Sequence, residues 1–581
     1  MLYYHNLYHD VSFIDFFRVL ANGLKLDASM AGYLTILPGI FLIASVWAPF
    51  TIIEKIFKGY FALMALLISI IFVADIALYG YWGFRLDSTA LFYMKWPKDA
   101  MASVNVFTVI IGGIVIAGLT VLLYYVFTRF VLRKKPCDKR AENRLLTAFP
   151  LLLLTAALFI PIRGGFEVST MNTGKVYFSS RIDLNHAAVN PMFSFMESLF
   201  KEQNFDKQYR FMSDEEAREE FKKLVEQPTD KPIPVLFDTP RPNIVMFFLE
   251  SFGSKVVEPL GGIPGIATRL NRYCEEGILF THFYANSFRT DRGLVSILSG
   301  YPAQPTTSIM KYPRKSQTLP SITKTLKQNG YYPTYYYGGD ADFTNMRSYL
   351  VSQGISDLVT EQDFPAKDRT TKWGVHDHIV FQRLLSDLQN EQQEPFIKIM
   401  QTLSSHEPFD VPFHKSDDLY LNSVQYTDSC LGEFIEGFKK TKYWANSIVV
   451  LVPDHAMHYP SSIDIRSVER YRIPFLILGG AVKAPEKIDV YASQIDIAAT
   501  LLHQFQLPHE EFTFSKNILN PDSPHFAFYT FPNGFGFLTS ENHYVYDCDS
   551  HAVVVNEGNE FENRKKGEAY LQILYDDLAG R

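Results

Sequence analysis

Four apolar stretches crowd the first third of this chain, at about residues 31–50, 60–80, 106–128 and 145–162. Crossing a bilayer takes about 20 residues at the helical rise, and each stretch is long enough. The alternative, four buried helices of a soluble protein, is disfavoured by that length. At 581 residues the chain is also too long for one ordinary domain, and 47% hydrophobic residues is an average over an apolar first third and a soluble remainder.

Charge sets the expected topology. The loop between the third and fourth stretches carries Arg129, Arg133, Lys134, Lys135, Lys139, Arg140 and Arg144, a cytoplasmic signature by the positive-inside rule. The fourth span then leaves the cytoplasm, and everything after Arg163 is expected outside. Counting back, the loop with Lys55 and Lys58 is cytoplasmic and residues 1–30 lie outside. No cleavable signal is present at Met1, which opens directly into Leu2, Tyr3 and Tyr4, so a further span preceding Met1 is expected in the natural protein.

The expected organisation is a transmembrane region over 1–162, an extracytoplasmic helical linker over 163–240 and a catalytic domain over 241–581. In the linker, residues 213–226 read as a helix with an acidic start and basic middle. After Arg241 short β-rich runs alternate with helical segments, at 244–249, 331–337, 396–402, 447–452 and 473–478. Near-continuous apolar strands separated by helices predict an α/β fold around a central, mostly parallel sheet. The tail from 526 to 555 predicts a small antiparallel subdomain, closed by a helix over 568–578.

A net charge of -7 and the lack of a basic face beyond the membrane region argue against nucleic acid as a partner. The four cysteines, Cys137, Cys274, Cys430 and Cys548, form neither a CxxC pair nor an evident disulfide framework.

In an open α/β sheet ligands bind beyond the carboxyl ends of the strands. Glu250 follows the run 244–249 directly, and Asp454 with His455 follows 447–452. If both strands are parallel, two carboxylates and an imidazole meet at one edge, a donor set suited to Mn²⁺, Mg²⁺ or Zn²⁺. Taken singly, Glu250 reads equally as a helix-start residue and Asp454 as a turn residue. Thr290, in Asn286-Ser-Phe-Arg-Thr-Asp-Arg-Gly293, precedes a helical run. It reads either as an N-cap or as a hydroxyl facing the anion-stabilising N-terminus of a helix.

Leu249-Glu-Ser-Phe252, Thr290 before a helix, Ser405-His-Glu-Pro-Phe409 and Pro453-Asp-His455, in that order, resemble the lipoteichoic acid synthase family of the alkaline phosphatase and sulfatase superfamily. The resemblance implies a sulfatase-like domain behind several membrane spans of a bacterial cytoplasmic membrane. It implies one divalent metal, Mn²⁺ or Mg²⁺ rather than Zn²⁺, on Glu250, Thr290, Asp454 and His455, with Thr290 as nucleophile. His406 matches a histidine that contacts phosphate and protonates the leaving group. Arg347, in Gly338-Gly-Asp-Ala-Asp-Phe-Thr-Asn-Met-Arg347, resembles a phosphate-binding arginine, although Thr344 stands where the synthases carry Trp and the arginine falls one position later. Trp373 and Asp377 fit a further segment of the family, with helix capping an equal account of Asp377. Gln494-Ile-Asp-Ile-Ala-Ala-Thr500 is similar to a structural segment of the superfamily.

The function implied is transfer of a phosphoglycerol head group from a membrane phospholipid, phosphatidylglycerol, through a covalent threonine intermediate. The acceptor is a glycan, a glycolipid, a glycerophosphate polymer or water. A sulfatase proper needs Cys or Ser followed by x-Pro-x-Arg, where this chain has Thr290-Asp-Arg. A phosphoethanolamine transferase generally carries several disulfides in its external domain. An inactive binding relative is disfavoured because Glu250, Thr290, His406, Asp454 and His455 are all retained.

Overall fold

The structure is a computed structural model that describes all residues except 2, 5–7, 9, 83–84, 88–105, 133–142, 167–168, 180, 202–203, 229 and 559–561. Arg133, Lys134, Lys135, Cys137, Lys139 and Arg140 of the basic loop lie outside the described residues. Two compact units are formed, Met1–Gln203 and Asn204–Arg581. Their division falls inside the segment 163–240.

In the first unit four helical stretches are long and apolar enough to cross a membrane: Phe13–Ala44, Thr51–Gly80, Val109–Val131 and Arg144–Arg163. The first helix starts at Phe13, well before the apolar run at 31, because backbone hydrogen bonding continues through the more polar turns that hold Arg18, Lys25 and Asp27. Ser12 caps it by accepting from the N–H of Asp15. Small residues let this helix approach the fourth stretch closely: a Cβ on Gly32 would stand 2.7 Å from the Ile162 side chain, and one on Gly39 would stand 2.6 Å from Thr155 Oγ1. Such contacts are how apolar helices associate where lipid competes for their surface. Ile110, Ile114, Leu122, Leu145 and Leu154 remain exposed, as lipid-facing positions require.

The second unit is built on an eight-stranded sheet in the order β4-β3-β5-β1-β6-β7-β2-β8. The strands are β1 Asn243–Leu249, β2 Ile278–Tyr284, β3 Tyr332–Tyr337, β4 Asp357–Val359, β5 Phe396–Gln401, β6 Ser447–Pro453, β7 Phe475–Leu478 and β8 Glu486–Ser493. β7 runs antiparallel to both β6 and β2, and the other pairs are parallel. Every residue of β1, β5 and β6 is buried, as central strands covered on both faces demand, and this is why they read as unbroken apolar runs. β2, β4 and β8 escaped the sequence reading. β8 is partly exposed, β4 has three residues and β2 is interrupted by Thr281 and His282, so none shows such a run.

A separate antiparallel sheet follows, of β9 Ala527–Phe531, β10 Gly534–Leu538, β11 Asn542–Asp547 and β12 Ala552–Gly558, in the order β12-β11-β10-β9. The last helix, Glu562–Gly580, buries Tyr570, Leu571, Leu574, Tyr575 and Leu578 in the main core. The helix Asp214–Val225 of the former linker segment packs on it, with Ser213 as its cap. Cys274, Cys430 and Cys548 are free.

Candidate metal and phosphate site

Register brings the strand-end acids together. β1 and β6 pair in parallel with Leu249 opposite Pro453, so the next residues, Glu250 and Asp454, emerge side by side at the carboxyl edge. Both are buried. One ligand atom from each of Glu250, Asp454 and His455 lies within 4.8 Å of the others. Thr290 Oγ1 stands 3.5 Å from Glu250 Oε2.

The surrounding hydrogen bonds orient the cluster. Asp454 Oδ1 accepts the backbone N–H of His455 at 2.8 Å and of Ser251 at 3.2 Å, while Asp454 Oδ2 is buried with no hydrogen-bond partner. Ser251 adopts a left-handed conformation, φ 64°, which turns the chain immediately after β1. Its hydroxyl donates to Glu250 Oε1 at 2.8 Å. His455 Nδ1 lies 3.1 Å from the carbonyl of Ala456. A carbonyl only accepts, so Nδ1 carries a proton, and Nε2 is the nitrogen aimed at Glu250 Oε1, 3.4 Å away.

Two buried carboxylates and an imidazole nitrogen converging on one point, with a carboxylate oxygen left unsatisfied, is a poor arrangement for a protein by itself. It suits a divalent cation, and the Nδ1–carbonyl bond is the outer partner that metal-bound histidines generally have. The three groups compete for positive charge. Burial, followed by the charge of Glu250, pushes the Asp454 carboxyl up. Burial works against charging His455 too, but Asp454 and Glu250 outweigh it and raise the imidazole. Glu250 meets the same burial and is nonetheless held below the usual carboxylate range by His455.

Thr290 is the first residue of the helix Thr290–Ser299, and the N-cap position falls on Arg289. Its hydroxyl therefore faces Glu250 instead of capping the helix. The turn before it is held by buried amides. The Asn286 N–H donates to Gln494 Oε1 at 2.8 Å. Gln494 Nε2 in turn donates to the carbonyls of Pro453 at 2.7 Å and Asp454 at 2.8 Å. One glutamine thus ties the Thr290 turn to the end of β6. The sequence signalled it only as part of a structural segment.

His406 follows β5 by the same edge rule. Ser405 Oγ donates to the carbonyl of Glu250 at 2.7 Å, which seats the histidine beside the cluster. Asp377 begins the helix Asp377–Gln389, yet its carboxylate accepts the N–H groups of Leu403 and Ser404 and the Thr427 hydroxyl. It fastens the His406 turn and does not cap its own helix. Arg347 lies on the segment after β3, and its Nε donates to Asp342 Oδ1 at 2.6 Å. That segment turns through left-handed Thr344 and Asn345.

The sulfatase family model matches residues 242–507, the span that supplies every one of these side chains. Residues 242–507 are similar to the sulfatase family and form a sulfatase-like domain. A lipoteichoic acid synthase-like protein of Bacillus subtilis is 26% identical over 335 residues, covering 52% of this chain and 53% of that protein. Phosphoglycerol transferase I of Xanthomonas campestris is 24% identical over 307 residues, covering 49% and 43%. The chain therefore spans about half the length of the curated relatives it matches. Among solved structures, an alkaline phosphatase superfamily protein from Vibrio parahaemolyticus matches with a TM-score of 0.57 and 24% identity, over 65% of this chain and 98% of that one. The lipoteichoic acid synthase LtaP from Listeria monocytogenes matches with a TM-score of 0.53 and 20% identity, over 64% and 99%. These two likenesses establish the sulfatase-like fold.

Proposed function

We propose that the protein is a membrane-anchored, metal-dependent transferase that moves a phosphoglycerol head group from phosphatidylglycerol to an acceptor by way of Thr290. The observation that carries this is the placement of the Thr290 hydroxyl on Glu250, within a cluster whose donor set suits a divalent cation. The names of the sequence relatives, lipoteichoic acid synthases and phosphoglycerol transferases, support the donor class.

Glu250, Thr290, Asp454 and His455 would hold Mn²⁺ or Mg²⁺. Such an ion would lower the pKa of the threonine hydroxyl and offset charge on phosphoryl oxygens. In the first displacement Thr290 Oγ bonds to phosphorus and the bond to the diacylglycerol oxygen breaks. The hydroxyl proton departs towards the carboxylate it already faces, and protonated His406 gives its Nε2 proton to the leaving oxygen. In the second, the acceptor hydroxyl bonds to the same phosphorus, the Thr290–phosphorus bond breaks, Thr290 Oγ recovers its proton from the Glu250 carboxyl, and His406 Nε2 takes the acceptor's proton. That proton serves the next cycle. Arg347 is assigned to the phosphoryl oxygens, where a guanidinium offers paired donors.

Tethering fits a lipid donor, because it raises the donor's effective concentration at the site. The charge of the 129–144 loop supports an extracytoplasmic position for the catalytic unit in a bacterial inner membrane. Glycan, glycolipid and glycerophosphate are the acceptor classes to try.

The test is exposure of the full chain in nanodiscs to head-group-labelled phosphatidylglycerol with each acceptor. Product analysis should show labelled acceptor, and intact mass should show a phosphoglycerol increment on wild type and none on Thr290→Ala. An increment that persists in that variant, or full turnover by it, defeats the mechanism.

A further inference from the structure

Two N–H groups converge on one carbonyl beside the site. Trp373 Nε1 donates to the Glu407 carbonyl at 2.6 Å, and His406 Nδ1 lies 2.9 Å from the same oxygen. That oxygen only accepts, so both nitrogens carry protons there. The indole also covers the imidazole, with ring centroids 4.3 Å apart. Phe343 also meets the indole edge-on, at 5.8 Å.

Trp373 stands on a rigid base. The Val375 N–H donates to the Gly338 carbonyl at 2.8 Å. Gly374, with φ +133°, packs so tightly there that a Cβ would fall 2.1 Å from that oxygen. Thr371 Oγ1 receives the N–H groups of Trp373 and Gly374. His406 and Glu407, by contrast, sit on a turn whose outer residues, Glu407 and Pro408, are exposed.

We propose that Trp373 is a positioning residue for His406: by anchoring the Glu407 carbonyl and covering the imidazole, it commits Nδ1 to a proton and presents Nε2 to the reacting oxygens. This rests on the transferase reading above for the chemistry His406 performs, though the tautomer it requires is independent of any activity. An imidazole whose far nitrogen is tied to a fixed acceptor is held in one tautomer and one orientation. On an exposed turn the Trp373 N–H supplies the anchor that this carbonyl needs.

The experiment compares wild type, Trp373→Phe and His406→Gln as full chains in nanodiscs, with ¹⁵N-labelled histidine. His406→Gln identifies the His406 signals by their loss. At a pH high enough to hold the imidazole neutral, wild type should show His406 protonated at Nδ1 and bare at Nε2, and Trp373→Phe should populate both tautomers. Release of the first leaving group, in single turnover without acceptor, is read with two donors: phosphatidylglycerol, whose alkoxide leaving group needs a proton, and a nitrophenyl phosphoglycerol diester, whose leaving group does not. Trp373→Phe should lose about tenfold in the rate of that release on the lipid and less than about twofold on the nitrophenyl diester, a part of the roughly 10²–10⁴-fold that a placed acid–base group contributes. A neutral wild-type imidazole protonated at Nε2 and bare at Nδ1 overturns the proposal. So does a variant with an unchanged tautomer and equal losses on both donors. If wild type turns over neither donor, the transferase reading falls instead, and the nitrogen signals alone decide the role of Trp373.

Discussion

Gly293 and Asp454 touch through their backbones: a Cβ on Gly293 would lie 2.0 Å from the Asp454 carbonyl oxygen. Only a residue without a side chain lets the first turn of the Thr290–Ser299 helix press against the end of β6. That approach is what sets the Thr290 hydroxyl on Glu250. Neither backbone has room to yield, since the helix and strand are both buried.

Gly293→Ala should therefore push the helix away from the cluster. Overpacking of this kind costs about 1–3 kcal/mol, and the loss of Thr290 from the site should remove turnover as well. Urea unfolding and an activity assay on the same preparation check both effects. A variant of wild-type stability that turns over normally would contradict the close contact.

Asp454→Asn keeps an acceptor for the N–H groups of Ser251 and His455 but removes the charge at the unsatisfied oxygen. Metal affinity should fall by more than the roughly 10–100-fold typical of losing an outer partner of a metal ligand. The metal-free variant should be at least as stable as metal-free wild type, because one of two adjacent buried carboxylates is gone. Calorimetric titration with Mn²⁺ and thermal unfolding in chelator test the pair of outcomes. Equal affinity in variant and wild type would remove Asp454 from the ligand set.

The turn that carries Gln494 has its own buried ion pair. Lys516 Nζ donates to Asp496 Oδ2 at 2.8 Å and to the Phe526 carbonyl at 3.0 Å, and both side chains are almost wholly buried. Lys516→Met should destabilise the catalytic unit by about 3–5 kcal/mol, since it leaves a carboxylate buried without its cation. Adding Asp496→Asn should restore part of that loss. Denaturant unfolding of the single and double variants is the measurement, and a single variant within about 0.5 kcal/mol of wild type, the range of ordinary surface changes, would show the pair to be dispensable.

Asp428 predicts a pH dependence. Its carboxylate accepts the N–H groups of Arg269 and Leu270, at 2.8 Å each, at the start of the helix Thr268–Glu276. Burial nonetheless pushes its carboxyl up to about 6. A folded value raised above the unfolded one means that the folded state binds the proton more tightly. The associated stability is present below the unfolded value, near 3.9, and is lost as pH rises through about 6. Asp428→Asn carries a constant penalty for its lost acceptor but lacks this slope. Its melting temperature should gain on that of wild type as pH rises from about 4 to about 7. Parallel melting curves across that range would contradict the raised value.

Local chemistry made part of this protein legible in the sequence. The spans follow from apolar length alone. β1, β5 and β6 follow from unbroken apolar runs, because strands buried on both faces leave no polar position. Glu250, Asp454 and His455 were visible because a polar residue straight after such a run must emerge at a sheet edge. Thr290 stood out as a hydroxyl before a helix, but the same pattern fits a cap, and only the fold decided between the two. The helix begins one residue earlier than capping would require, and Gly293 lets it close on Asp454. The reversal of β7, the bridge of Gln494 from the Asn286 turn to β6, and the convergence of Trp373 and His406 on the Glu407 carbonyl join residues far apart in sequence or set by loop geometry. Local periodicity carries no record of them, since each arises only when separate segments are packed to within hydrogen-bonding distance.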